Sequence, residues 1–368
     1  MNSKNYKDLY AFHPGYYVNQ LIDELEMTQE EFARRMGVSP KTISLLVRGE
    51  INLSEEMALK LSNMFGINVD VWLNLQKEFC KKVLEIEQKE EFEKQEKIAS
   101  CIDYSYFSKA GILPPTKNIE EKIGNLCMFF KISDLSKLKE KDLLANFRVG
   151  VKTFEEKNII NANAWLQTAV NIGREMDCGC FDEKKLKKHL PEIRALTLQP
   201  LEDFLPKLIN IFKDCGICFV VLPNLKNCGI NGAVKWVNKQ KVILAINNRM
   251  LYADIFWFSL FHEIKHVMQK KITQTIISGT CQTEFDSHLE NEANLFARNT
   301  LISPDSFNRY INSHKISKTS IIDFAESIQI HPCIVVGRLI NEKIIKPEYF
   351  HELRIEYSFN DKFNYNNM

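Results

Sequence analysis

The stretch "MTQEEFARRMGVSPKTISLLVRGE" leaves its backbone few choices. Thr28 followed three residues later by Glu31 is a capping box that opens a helix ending near Gly37. Ser39 and Pro40 are an N-cap and first-turn pair for a further helix running to Gly49. Leu21, Ile22 and Leu25 form an apolar stripe on an earlier helix, and the pattern predicts two more helices over 54–65 and 70–80. The outcome is a set of short helices joined by tight turns.

Two helices separated only by "GVS" meet the requirement of a helix-turn-helix. Phe32, Ala33, Met36, Val38, Ile43 and Leu46 then form its core. Lys41, Thr42, Ser44 and Arg48 are left to face a major groove, with Arg34 and Arg35 placed for phosphates. A plain helical bundle satisfies the same spacing. Residues 1–75 hold seven Lys or Arg against ten Asp or Glu, so affinity for DNA must come from a local face, doubled in a homodimer. The string itself closely resembles the lambda-repressor-like helix-turn-helix of bacterial regulators, above all the HigA-type antitoxins. That resemblance implies sequence-specific double-stranded DNA, an operator, as partner.

A chain of 368 residues has room for two or three cores. Its longest apolar runs, "LCMFF" and "ICFVVL", are too short to span a bilayer, and ten dispersed cysteines without a signal-peptide segment suggest the cytoplasm. Residues 75–100 mix both signs of charge and are expected to form an extended helix or connector. The pattern stays helical to about residue 200, with breaks expected at "GILPPTKN", "DCGC" and "HLPEI". Cys178, Cys180, Cys215, Cys218 and Cys228 could be imagined around a metal, but Cys218 opens an apolar run where a cysteine is most simply a small hydrophobe.

Beyond residue 200 the period changes. "PLEDFLPKLINIFKDCG" is an amphipathic helix, while "ICFVVLP" and "AVKWVNKQKVILAIN" predict strands, the latter a pair joined by the polar turn "NKQK". A helix then begins near Leu251 and contains "HEIKH". His262 and His266, four apart, share one helix face and can reach one metal. Glu263 sits one step round, suited to take a proton from an activated water as general base, and zinc would polarise a scissile carbonyl. A third ligand is needed, and "HLENEANLFARNTLISP" offers Glu290 or Glu292. These two point about 200° apart on a helix, so only one can face the metal. Asn294, one turn after Glu290, is placed to hydrogen-bond a ligand.

The segments "ILAINNRMLYADIFWFSLFHEIKHVMQ" and "ENEANLFARNTLISP" resemble the ImmA/IrrE family of zinc metallopeptidase domains. The resemblance implies His262, His266 and Glu290 as Zn2+ ligands, in preference to Glu292, with Glu263 as catalytic base. It extends through "GAVKWVNKQKVILAINNR" and "IHPCIVVGRLINEKIIKPEYF" to long fusions of a HigA-like module with such a domain. Lys265 and Cys333 each replace a glycine that this family usually has; Lys265 pointing inward would disturb the metal, and pointing outward would be neutral. No oxyanion-stabilising residue emerges, the claims of His288, His314, His331, Arg298 and Arg338 all being weak.

The expected chain is thus multidomain: an all-α lambda-repressor-like helix-turn-helix over 10–80, a helical connector and middle domain over 81–200, and an α+β gluzincin-like metallopeptidase domain over 201–368. The expected partners are operator DNA and a toxin or repressor protein, the latter as partner or substrate, with no membrane. The competing expectation is a non-catalytic antitoxin or transcriptional repressor whose metal domain is structural or sensory.

Overall fold

A computed structural model describes residues 3–140, 155–247, 252–270, 275–279, 284–313 and 315–357. The chain forms two compact units, Met1–Glu96 and Lys97–Met368.

The first unit opens with a hairpin that the hydrophobic pattern does not announce, β1 (Ser3–Tyr6) antiparallel to β2 (Leu9–Phe12). Helices α1 (Pro14–Glu24), α2 (Gln29–Met36), α3 (Pro40–Arg48) and α4 (Glu55–Phe65) follow. Their side-chain caps are short and local. Thr28 accepts from the Glu31 amide at 3.1 Å and Ser39 from the Thr42 amide at 3.1 Å, while Gly37 and Gly49 close α2 and α3 with φ of 67° and 74°. Only half of the expected capping box forms: the Glu31 carboxylate turns to Arg35, 2.5 Å away. Val18, Ile22, Phe32, Met36, Ile43, Leu46, Leu61 and Trp72 make the core, with Val38 partly buried at its edge. Helix α5 (Val69–Cys101) is one helix of 33 residues, in which the helix expected over 70–80 runs on through the stretch expected as an extended helix or connector. Pairs such as Lys82 with Glu85 at 2.9 Å, one turn apart, carry the mixed-charge stretch as helix.

The second unit continues through α6 (Tyr104–Lys109), α7 (Ile119–Phe130), α8 (Glu156–Glu175), α9 (Glu183–Ala195) and α10 (Leu201–Asp214). The break expected at "HLPEI" does not occur, and α9 runs through Pro191. Tertiary anchorage outweighs the lost backbone bond: Ile193 is fully buried, and Arg194 donates to the carbonyls of Thr300, Leu301, Ile328 and Gln329.

Strands β3 (Ile217–Leu222), β4 (Ile230–Trp236), β5 (Val242–Asn247) and β6 (Thr275–Gly279) form a sheet in the order β3-β5-β4-β6. β3 is parallel to β5, and β4 is antiparallel to β5 and β6. The β4–β5 hairpin is the pair predicted around "NKQK"; β6 was not foreseen. Every residue of β3 and β5 is buried, so the alternation of side chains serves two covered faces. Ile217, Phe219, Val221, Leu244 and Ile246 join the main core with α10 and α11 (Ala253–Gln269). Helix α8 packs on β3 and β5, and a Cβ on Gly173 would come within 2.8 Å of the Ile243 side chain.

Helices α12 (Glu284–Leu301), α13 (Pro304–Ser313), α14 (Lys318–Ser327) and α15 (Pro332–Asn341) complete the core around α11. The architecture is therefore a helical N-terminal region, a helical middle and a small mixed α/β C-terminal part. Among the described residues, no helix is long and apolar enough to cross a membrane.

Candidate metal centre and nucleic-acid interface

Helix α11 is buried on nearly all sides, with Trp257, Leu260, Phe261, Ile264 and Val267 between sheet and helices. His262 and His266 share its face toward α12, where Glu290 meets them. The imidazole Nε2 atoms lie 2.9 Å apart, and the Glu290 carboxylate oxygens lie 3.3 Å from His262 Nε2 and 3.1 Å from His266 Nε2. All three residues are buried.

Each histidine is held from behind. Asn294 Oδ1 is 2.9 Å from His262 Nδ1, and Gln269 Oε1 is 2.7 Å from His266 Nδ1. The Gln269 amide has one orientation open to it, because its nitrogen donates to the Leu289 carbonyl at 3.1 Å and to Glu292 at 2.9 Å. Its oxygen must therefore accept from His266 Nδ1–H, which leaves the Nε2 lone pair directed at Glu290. Four electron-rich atoms then crowd one small buried space, an arrangement that needs a cation or a proton at its centre. Burial pulls the His266 pKa down, but the Glu290 hydrogen bond and the Glu263 and Glu290 charges outweigh it and hold the imidazole above its usual value. Burial pushes Glu290 up, yet its bonds to both histidines bring it to about 2. Two neutral imidazoles and one carboxylate are the donor set that zinc takes, so the residues fit the metal.

Glu292, the alternative ligand, is occupied elsewhere. Lys265 reaches it at 2.9 Å and lies over the Phe296 ring, so this lysine turns away from the histidines and ties α11 to α12. Gln269 escaped the sequence reasoning, although its position one turn after His266 is a usable signal. We expect Gln269→Leu to lower zinc affinity about 10–100-fold, measured by competition with a chelator. Unchanged affinity would show that the amide does not orient His266.

Glu263 is fully buried beside the triad, against β4. A Cβ on Gly232 would stand 2.5 Å from the Glu263 carboxylate, so the strand needs glycine there. His262, Glu263, Glu290 and Asn294 line one end of a cavity of about 290 Å³, bounded further by Phe258 and Ile334. His288 is exposed, His331 caps α15 by accepting from the Cys333 amide at 3.1 Å, and His314 lies outside the described residues. Cys215, Cys218, Cys228 and Cys333 are buried, and among the described residues no cysteine belongs to a metal-ligating group.

In the first unit, α3 buries Ile43, Leu46 and Val47 and exposes Lys41 and Arg48, with the half-buried Ser44 between them at spacings of three and four. One face thus carries all three. Thr42 is half-buried, its hydroxyl 2.7 Å from that of Ser39. Arg34 and Arg35 are exposed on α2, each facing an acid one turn earlier, Glu30 at 4.0 Å and Glu31 at 2.5 Å. Arg48 pairs with Glu50 at 2.8 Å. Such exposed pairs hold their partners weakly and yield to a phosphate at small cost.

The helix-turn-helix family model matches residues 18–72. The HTH-type transcriptional regulator YddM of Escherichia coli strain K12 is 44% identical over 63 residues, 17% of this chain and 67% of that protein. The chain belongs to the HTH-type transcriptional regulators. YbaQ, another regulator of that strain, is 33% identical over 57 residues, and the chain spans 50% of its length. A solved structure from Nostoc punctiforme, named as a candidate antidote protein of a plasmid maintenance system, is 30% identical with a TM-score of 0.22, covering 23% of this chain and 92% of that one. The N-terminal region of this regulator is a helix-turn-helix DNA-binding domain.

Proposed function

We propose that this regulator is a HigA-like transcriptional repressor or antitoxin, acting as a homodimer on an operator, and that its C-terminal part holds zinc at His262, His266 and Glu290. The observation that carries the proposal is the exposed pair Lys41 and Arg48, with Ser44 on the same face, on the capped helix α3 of a matched helix-turn-helix. With a near-neutral chain, that face supplies the base contacts, while Arg34 and Arg35 exchange their glutamates for phosphates.

The test is a footprint on the DNA upstream of the protein's own gene. Lys41→Ala and Arg48→Ala should each cost about 1–3 kcal/mol of operator binding, and loss of a phosphate contact lowers the slope of log K against log salt by about one. A footprint untouched by both substitutions would place DNA recognition on another face. Antitoxin character adds a further expectation, a small toxin as the protein partner.

One observation favours a second reading, a zinc-dependent endopeptidase that cleaves a regulatory protein such as a repressor: Glu263 lines the same cavity as His262 and Glu290. A zinc ion held by the triad supplies Lewis acidity. The Glu263 carboxylate, buried and fixed against Gly232, is sited to accept a proton from water and return it to a leaving amine.

A further inference from the structure

The cavity beside the triad extends along α12, and its lining residues on that helix, Glu290, Asn294 and Arg298, recur every fourth position. They therefore form one stripe, with Arg298 about 12 Å along the helix axis from the ligand Glu290. Two arginines reach this end of the cavity, and their circumstances differ.

Arg338 is consumed by the fold. Its Nε donates to Glu342 at 2.9 Å, one terminal nitrogen donates to the Ile302 carbonyl at 2.6 Å, and its guanidinium lies 3.9 Å over the Phe307 ring. Arg298 has no such set of partners. Its one ion-pair contact among the described residues is Glu342 at 3.8 Å, a carboxylate already taken by Arg338. Its Nε is shut off from solvent and makes no hydrogen bond among the described residues. The side chain as a whole is 42% exposed, so its terminal nitrogens stay open to an acceptor at the cavity.

We infer that the cavity is a binding site for a peptide bearing a carboxylate, which Arg298 grips while the chain on its other side reaches the triad. The inference rests on the metal centre proposed above for the identity of the second anchor. At about 3.3–3.6 Å per extended residue, the carboxylate belongs three to four residues from the group at the triad. It can come from an acidic side chain or from a free C-terminus, and both present the same two oxygens to the guanidinium.

The experiment uses the full chain with Glu263→Gln, so that no probe is consumed, loaded with zinc and assayed by fluorescence anisotropy. Probes are N-terminally labelled peptides of five alanines followed by Glu-amide or Gln-amide, and of six alanines ending in a free acid or an amide. We expect about tenfold tighter binding of a carboxylate form than of its amide, with the preferred pair telling side chain from C-terminus. Adding Arg298→Ala should erase that preference, and Arg298→Lys should keep part of it.

Equal binding of acid and amide, no binding of any probe, or a preference that survives Arg298→Ala overturns the inference. Zinc content is read in the same samples. Full zinc without a carboxylate preference defeats this site and spares the metal centre, whereas a preference that persists in zinc-free protein upholds Arg298 and defeats the metal centre as second anchor.

Discussion

Glu290→Ala is expected to strip the centre of zinc, whereas Glu263→Gln keeps it. The alanine removes the carboxylate that, among the described residues, alone meets both His262 and His266, at 3.3 and 3.1 Å, and leaves two imidazole nitrogens facing each other 2.9 Å apart. Loss of a ligand should exceed the roughly 10–100-fold penalty for losing a ligand's orienting partner. Metal content after dialysis against a weak chelator, compared with the parent protein, is the measurement. A Glu290→Ala protein that holds one zinc as firmly as the parent would return the ligand role to another residue, with Glu292 first in line.

The same pair of variants separates the two functional proposals. Glu263→Gln preserves shape and removes the base, so a peptidase loses cleavage of a regulatory protein while zinc and operator binding persist. A structural or sensory centre behaves differently: Glu263→Gln changes nothing, and Glu290→Ala alone alters repression.

How far the sequence revealed these sites depends on the range of the forces that build them. The helix-turn-helix was legible because its determinants are local: Thr28, Ser39, Gly37 and Gly49 act within one turn of their own helix ends. The triad was half legible. Helical spacing brings His262 and His266 together, but spacing could not choose between Glu290 and Glu292, because the choice is made by Lys265 and Gln269 reaching across from α11 to occupy Glu292. Pro191 failed as a break for the same reason, since Arg194 finds its carbonyls over a hundred residues downstream. The β1–β2 hairpin and β6 lacked a usable alternation of apolar and polar residues. The spare guanidinium of Arg298 could not be read at all, because it depends on Arg338 having claimed Glu342.

Arg354→Ala should destabilise the second unit by about 3–5 kcal/mol, the usual cost of removing one partner from a buried ion pair. Arg354 donates to both oxygens of Asp254, at 2.9 and 3.1 Å, both side chains are buried, and the guanidinium lies 3.7 Å over the Tyr252 ring. This pair, with the Ala253 amide donating to the Ile355 carbonyl at 2.9 Å, ties the C-terminal segment to the first turn of α11. Burial already raises the Asp254 carboxyl above its ordinary value, although Arg354 opposes the rise. Without the guanidinium that value climbs further, so the folded state binds a proton more readily than the unfolded chain. Stability then falls as pH rises from the ordinary carboxylate pKa through the raised one, and the deficit of the variant shrinks on acidification. Urea unfolding of parent and variant across pH 5 to 8 measures this, with Asp254→Asn added to Arg354→Ala expected to recover much of the loss by removing the stranded charge. A deficit that stays constant over that range, and that Asp254→Asn does not reduce, would assign the effect to lost packing on Tyr252 instead of to the ion pair. Zinc retention in the same variant shows how firmly this latch holds α11, and with it His262 and His266, against α12.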